Sequence, residues 1–161
     1  MGARRAAILT VSDGVSQGTR TDESGPACEG VLRAAGYGVS TGVVPDERTE
    51  IELRLREFAA THDLVVTTGG TGFAERDVTP EATLAVIERA APGLAEAMRA
   101  AGRITTPFAD LSRGVAGILG RAVVINLPGS PAGARESLEA VLPVLAHAID
   151  HLSGHTEHTP A

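Results

Sequence analysis

Apolar positions run along this chain in two alternating rhythms. Short, β-prone runs occur at Ala6 to Val11, Tyr37 to Val44, Leu64 to Thr67, Gly114 to Leu119 and Ala122 to Asn126. Between them lie longer stretches with apolar residues at helical spacing. One follows Ser24-Gly25-Pro26, carries Cys28, Val31, Leu32 and Ala35, and closes at Gly36; another, Arg48 to Ala60, sets Ile51, Leu55 and Phe58 on one face. Thr79-Pro80 reads as a cap and first-turn proline for a helix through Ala90. Pro92-Gly93 reads as a break before a helix from about Leu94 to Ala101, Pro107 as the centre of a loop, and Gly120-Arg121 as a joint between strands. Pro131 to Leu152 is the closing helix. Strands alternating with helices in this order predict an α/β fold, a three-layer αβα domain around a mainly parallel sheet. The length of 161 residues suits one domain over residues 1–154, followed by a polar C-terminal tail over 155–161.

Composition narrows the picture. A hydrophobic fraction of 43% with 21% charged residues is that of a globular chain. No apolar run approaches the roughly eighteen residues of a membrane span, and Arg4-Arg5 precede only the short first strand. A single cysteine, Cys28, precludes an internal disulfide and fits a reducing compartment, so a cytoplasmic protein is expected. Its helical face makes it a packed small hydrophobe. All 14 basic residues are arginine. That excludes mechanisms needing a lysine, among them a P-loop, a Schiff base and kinase-type phosphate binding. A net charge of −6 with 2% aromatics argues against nucleic-acid partners.

Ligands of such sheets bind beyond the carboxyl ends of the strands. Ser12-Asp13, Asp46, Thr68 to Gly72 and Leu127 to Ser130 should therefore converge at one edge. Gly69, Gly70, Thr71 and Gly72 can bring N–H groups close to an anion, because glycine removes side-chain obstruction and permits positive φ. As a turn alone this loop would mean little. It matches neither a dinucleotide fingerprint, with Glu75 at the third position after Gly72, nor a Walker loop. Asp46 and Asp77 are the acidic residues best placed to hold Mg²⁺ with phosphates, with Asp13 and Asp22 nearby. Local roles are the competing readings: Asp46 as a helix cap, Asp77 as an Asx-turn or a partner of Arg76. Arg76 and Arg113 can clamp a phosphate, and Arg20 sits in a long loop, Ser12 to Asp22, able to fold over a ligand. Gly38-Val39-Ser40-Thr41-Gly42 mimics a hydrolase elbow but lies inside a strand. His147, His151, His155 and His158 mimic a metal stripe, but Gly154 should end the helix before the last two.

In order, Thr10-Val11-Ser12-Asp13, Asp22-Glu23-Ser24-Gly25-Pro26, Val44-Pro45-Asp46-Glu47 and Thr68-Gly69-Gly70-Thr71-Gly72 resemble one family, as do Arg76-Asp77-Val78-Thr79-Pro80-Glu81-Ala82-Thr83, Leu111-Ser112-Arg113 and Asn126-Leu127-Pro128-Gly129-Ser130-Pro131. These are the molybdopterin adenylyltransferases of molybdenum cofactor biosynthesis, the MogA and MoaB proteins and related G domains of plant and animal fusion proteins. The resemblance spans about residues 6 to 152. It implies a Mg²⁺-dependent reaction in which the terminal phosphate of molybdopterin attacks the α-phosphorus of ATP, giving adenylylated molybdopterin and pyrophosphate. It also implies a homotrimer, or a hexamer in some MoaB-like members, and hand-over of product to the molybdate-inserting enzyme. The family's essential aspartates fall on Asp46 and Asp77, as catalytic and metal-holding residues. Its substrate-contacting positions fall on Ser12, Asp13, Gly69 to Gly72, Ser112, Arg113, Pro128 and Gly129. Two departures, Glu75 and Asp110, add negative charge near an anion site. The alternative is a MoaB-like paralogue that binds molybdopterin or acts as a scaffold without catalysis.

Overall fold

The computed structural model describes residues 2–155. Its elements are β1 (Arg5–Val11), α1 (Asp13–Ser16), α2 (Ser24–Ala34), β2 (Gly38–Val44), α3 (Arg48–Ala59), β3 (Leu64–Thr68), α4 (Thr79–Val86), β4 (Arg89–Ala90), α5 (Pro92–Thr105), β5 (Ala116–Leu119), β6 (Ala122–Leu127) and α6 (Pro131–Leu152), with a 3₁₀ turn over Pro107–Leu111. The six strands are ordered β2-β1-β3-β6-β5-β4. The first four are mutually parallel; at one edge β5 pairs antiparallel with β6, and β4 pairs antiparallel with β5. The mainly parallel αβα expectation therefore holds, with a mixed edge.

Strand alternation divides the core. Ala6, Ile8, Leu64, Val66, Val123 and Ile125 face one layer, where Leu32 of α2, Met98 of α5 and Leu138 of α6 close over them. Ala7, Leu9, Val65 and Val124 face the other, against Ile51, Leu55 and Phe58 of α3 and Ala82 of α4. Burial on both faces explains why β1, β3 and β6 read as continuous apolar runs. Cys28 lies in the first layer, and burial above all, with the charge of Asp22, pushes its thiol up to about 12.

Three expectations change. The helix from Thr79 ends at Val86, because the N–H groups of Glu88 and Ala91 donate to Ile118 and Ala116 and form the β4 edge. Thr79 is not a cap: it is the first helical residue, and its hydroxyl donates to the Gly69 carbonyl at 3.0 Å. Pro92 does not break a helix but opens α5, a first-turn position where its missing N–H costs nothing.

The two decoys also resolve. Gly42 is required by contact, since a Cβ there would fall 2.5 Å from the Arg54 guanidinium. That guanidinium lies 4.5 Å from the centre of the Phe58 ring. Ser40 meets His62 Nε2 at 3.0 Å, yet neither residue lines a cleft with the site described below. His147 and His151 contact edge-on at 4.3 Å, and among the described residues no group of three or more His, Cys, Asp or Glu side chains is placed to hold a metal. His158 and residues 156–161 of the expected tail lie outside the described residues.

Candidate active site

The four loops after β1, β2, β3 and β6 lie together. Gly69 N–H donates to the Leu127 carbonyl at 3.1 Å, and a Cβ on Gly129 would sit 3.4 Å from Gly69 Cα, so the third and fourth loops touch. The first and second are joined reciprocally. Asp13 N–H donates to Asp46 Oδ2 at 2.9 Å, and Asp46 N–H donates to Asp13 Oδ1 at 3.0 Å.

These two carboxylates have opposite electrostatics. Arg76 grips Asp13 through Nε (2.6 Å) and a terminal nitrogen (3.0 Å), and reaches Glu47 at 3.0 Å. The Arg76 hydrogen bonds foremost, then the Asp46 backbone contact, hold the Asp13 carboxyl below its ordinary range. Asp46 is raised, first by desolvation and then, against the pull of its backbone hydrogen bond, by the charges of Asp13 and Asp77. Asp13 is thus a braced structural anion. Asp46 is a strained one, with Oδ1 lacking any protein donor among the described residues.

The glycine loop is built by exclusion. Gly69 has φ +92° and Gly70 φ +68°; a Cβ on Gly69 would strike the Val11 carbonyl, and one on Gly70 would strike the Thr79 hydroxyl while standing 3.2 Å from Asp46 Oδ1. A Cβ on Gly72 would come 2.9 Å from Asp77 Oδ2. Gly70 to Gly72 therefore pass between the two aspartates. The N–H groups of Gly70, Thr71 and Gly72 have no protein acceptor among the described residues. Asp77 Oδ2 accepts from Ala74 N–H at 3.0 Å, three residues back, so it closes the turn before it and does not make the forward Asx-turn, and Oδ1 is left without a protein partner among the described residues. The local pairing with Arg76 is not made either, since that guanidinium is held by Asp13 and Glu47.

Arg113 stands behind this loop. Its Nε donates to the Gly72 carbonyl (2.8 Å), a terminal nitrogen to the Asp77 carbonyl (2.7 Å) and the other to Glu81, while its own N–H donates to the Thr71 carbonyl (2.8 Å). Its guanidinium braces the turn, so the expected phosphate clamp is already occupied by protein acceptors. The same is true of Arg76. The two departures also find places: Asp110 pairs with Arg103 at 2.5 Å, and Glu75 is exposed.

Two clefts meet at Gly70, Asp77, Gly129 and Ser130. One, about 390 Å³, is polar and holds Ser12, Arg20, Asp22, Asp46 and Thr68. The other, about 470 Å³, is walled by Met98, Phe108 and Leu111 and floored by Ser112, Asn126 and Pro128. Ser130 caps α6 by accepting from Gly133 N–H at 3.1 Å, which places that helix's N-terminus at the junction and favours an anion there. The less polar cleft was not anticipated from sequence. Phe108 and Leu111, apolar residues in a loop that solvation alone would not select, were the available signal. Arg99 was missed too; it donates to the Gly114 carbonyl at 2.8 Å and holds the floor.

As a cation site, Asp46 and Asp77 both line the polar cleft and each keeps one carboxylate oxygen without a protein donor among the described residues, a donor set of hard oxygens. Two protein carboxylates leave the remaining positions to water or phosphate oxygens, as Mg²⁺ usually requires. The residues present fit such an ion.

Residues 7–147 match the family described as "Probable molybdopterin binding domain". The chain is 43% identical over 154 residues to the molybdopterin adenylyltransferase of Helicobacter pylori strain J99, covering 91% of this chain and 86% of that one. It is 40% identical over 156 residues to the molybdopterin adenylyltransferase of Escherichia coli K12, covering 94% and 80%. Among solved structures it is similar to the molybdopterin biosynthesis enzyme MoaB of Thermus thermophilus, at 52% identity, a TM-score of 0.88, and coverage of 94% and 97%.

Proposed function

The chain belongs to the MogA/MoaB-like family of molybdopterin-binding and biosynthesis proteins, and on that premise we propose that it transfers the adenylyl group of ATP to the terminal phosphate of molybdopterin. The observation that carries this reading is the pair Asp46 and Asp77. Each is held through one oxygen by a backbone N–H, each lines one cleft with the other oxygen unpaired among the described residues, and the glycine loop passes between them.

In the reaction a molybdopterin phosphate oxygen forms a bond to the α-phosphorus of ATP, and the bond from that phosphorus to the bridging oxygen breaks. Pyrophosphate leaves with the electron pair. A phosphate monoester is largely ionised at neutral pH, so the attacking oxygen needs no general base. The lining residues match that requirement, since among the described residues neither cleft is lined by a histidine, cysteine or lysine. The protein's part is placement and charge compensation. Mg²⁺ held by Asp46 and Asp77 would neutralise phosphate charge in a cleft otherwise dominated by carboxylates. The N–H groups of Gly70 to Gly72 and the α6 N-terminus donate to phosphate oxygens at the junction. Arg113 and Arg76 act as positioning residues, holding the turn and Asp13. Ser12, Ser112, Pro128 and Gly129 border the substrates, and the less polar cleft suits a flat heterocyclic ring.

The same reading carries a homotrimer or hexamer and hand-over of product to a molybdate-inserting enzyme. Phe73, Ile104 and Phe108, all strongly exposed, offer apolar surface for such contacts. The test is chromatographic detection of adenylylated molybdopterin from ATP, Mg²⁺ and molybdopterin. Product formation is expected. Intact binding of both ligands with no product would replace this reading by that of a non-catalytic molybdopterin-binding paralogue.

A further inference from the structure

The polar cleft has an imbalance of charge that the groups described so far do not correct. Asp22, Glu23, Asp46 and Asp77 line it, and Arg20 is the one guanidinium among its lining residues. A Mg²⁺-bound triphosphate still carries net negative charge, and in a chain whose 14 basic residues are all arginine a guanidinium is the permanently cationic side chain available to meet it. Arg76 is committed to Asp13 and Glu47, Arg113 to Gly72, Asp77 and Glu81, and Arg99 to Ser112 and Gly114. Arg20 has no side-chain hydrogen bond or ion pair within the described residues.

Its position is nonetheless fixed. Thr19 N–H and Arg20 N–H both donate to the Gly14 carbonyl, at 2.9 and 3.1 Å, and the Thr19 hydroxyl joins them at 3.2 Å. A Cβ on Gly14 would stand 3.1 Å from Arg20 Cβ and 3.6 Å from Cδ, so the side chain is folded over the Gly14 backbone. The loop is therefore anchored by its backbone while all the guanidinium donors stay available. Arg20 also belongs to the polar cleft alone, away from the junction at Gly70, Asp77, Gly129 and Ser130 where the two clefts meet.

We infer that Arg20 binds the β- and γ-phosphates of the nucleotide, the part that departs as pyrophosphate. This rests on the adenylyl-transfer reading: with the α-phosphorus at the junction, the distal phosphates extend along the polar cleft towards Arg20. The residue thereby selects a triphosphate over a monophosphate and compensates charge on the leaving group.

Calorimetry on the full chain tests this with Mg-ATP, AMP and Mg-pyrophosphate, comparing wild type with Arg20→Gln and Arg20→Lys. Because the guanidinium makes no protein hydrogen bond among the described residues, and glutamine and lysine keep the stem that lies over Gly14, thermal melts of the variants should overlay wild type. Arg20→Gln is expected to weaken ATP and pyrophosphate about tenfold, the scale of one charge-assisted hydrogen-bonded contact, while AMP stays within about twofold. Arg20→Lys should fall between, keeping the charge and losing the fork. Unchanged ATP affinity in Arg20→Gln, with wild type binding ATP, overturns the inference and leaves the proposed function standing. Equal losses for ATP and AMP overturn the distal-phosphate assignment. If wild type binds no nucleotide, the proposed function fails and the inference with it.

Discussion

The two ends of the parallel sheet contrast in how their polar groups are used. At the amino end, Arg4 makes a bidentate pair with Asp150 at 2.9 Å, Asp63 accepts from Arg5 N–H at 2.8 Å, and both ring nitrogens of the buried His62 are engaged. The Tyr37 hydroxyl, buried without a partner, is the exception there. At the carboxyl end, among the described residues, Asp46 and Asp77 each keep an oxygen without a protein donor, three consecutive N–H groups of the glycine loop lack acceptors, and the Arg20 guanidinium is uncommitted. Most of these groups are half-buried or exposed and can be met by water, but their gathering in and beside one cleft is what a polar ligand would use. The lesson is that polarity alone does not separate a site from a scaffold. Residual hydrogen-bonding capacity does.

Breaking the unsatisfied end should cost activity first. Asp77→Ala should reduce adenylyl transfer roughly a thousandfold, the scale of removing a group that stabilises charge in a transition state. Its loss of stability should be about 1 kcal/mol, from the Ala74 contact, read by a thermal melt. Wholesale unfolding would instead make Asp77 a purely local residue. Gly70→Ala should damage both properties, because the new Cβ meets the Thr79 hydroxyl at positive φ. The expected cost is about 2–3 kcal/mol, lowering the melting temperature by roughly 5–10 °C.

Asp46→Asn should separate function from stability. Desolvation first of all raises the Asp46 carboxyl above its ordinary value, so the fold favours its neutral form: this contribution is present below the unfolded pKa and is lost as pH rises through the folded one. Asparagine keeps an acceptor for Asp13 N–H and removes the charge. At neutral pH the variant should therefore be more stable, by no more than about 1 kcal/mol because the group is partly solvated, while turnover collapses. The gain should fade in acid, where the wild-type carboxyl is itself protonated. Asp13, held low by Arg76, behaves oppositely: its stabilisation is present above the unfolded pKa and is lost as pH falls through the folded one. A melt series across acid pH with and without Asp46→Asn reads the difference. At the satisfied end, Arg4→Ala should cost up to about 1 kcal/mol and leave turnover unchanged, since its partner is also partly exposed. A loss of activity there would erase the contrast.

Much of this architecture was legible along the chain. α3 and α6 carry periodic signals, because burying one face leaves a mark at helical spacing, and β1 and β3 are marked by continuous apolar runs, because both their faces are buried. The stretch after Thr79 misled, because its local pattern remains helical to Ala90 while strand partners from β5, contributed by residues far along the chain, claim its N–H groups after Ile87. The less polar cleft was equally hidden. Its walls come from α5, the 3₁₀ turn and α6, each an ordinary amphipathic segment by itself.

Sequence by itself determined the alternation of strands and helices, the edge where the loops gather, and the demand for a guanidinium where other chains could use lysine. It also made glycine at 69, 70 and 72 meaningful. Only the tertiary structure decided which charged groups are spent and which remain available. Asp13 and Asp46 are 33 residues apart and Arg76 is 63 from Asp13, so their hydrogen bonds exist only once the strand order has brought those loops together. A residue's type sets what it can bond to, and the folded neighbourhood sets what is left for a ligand.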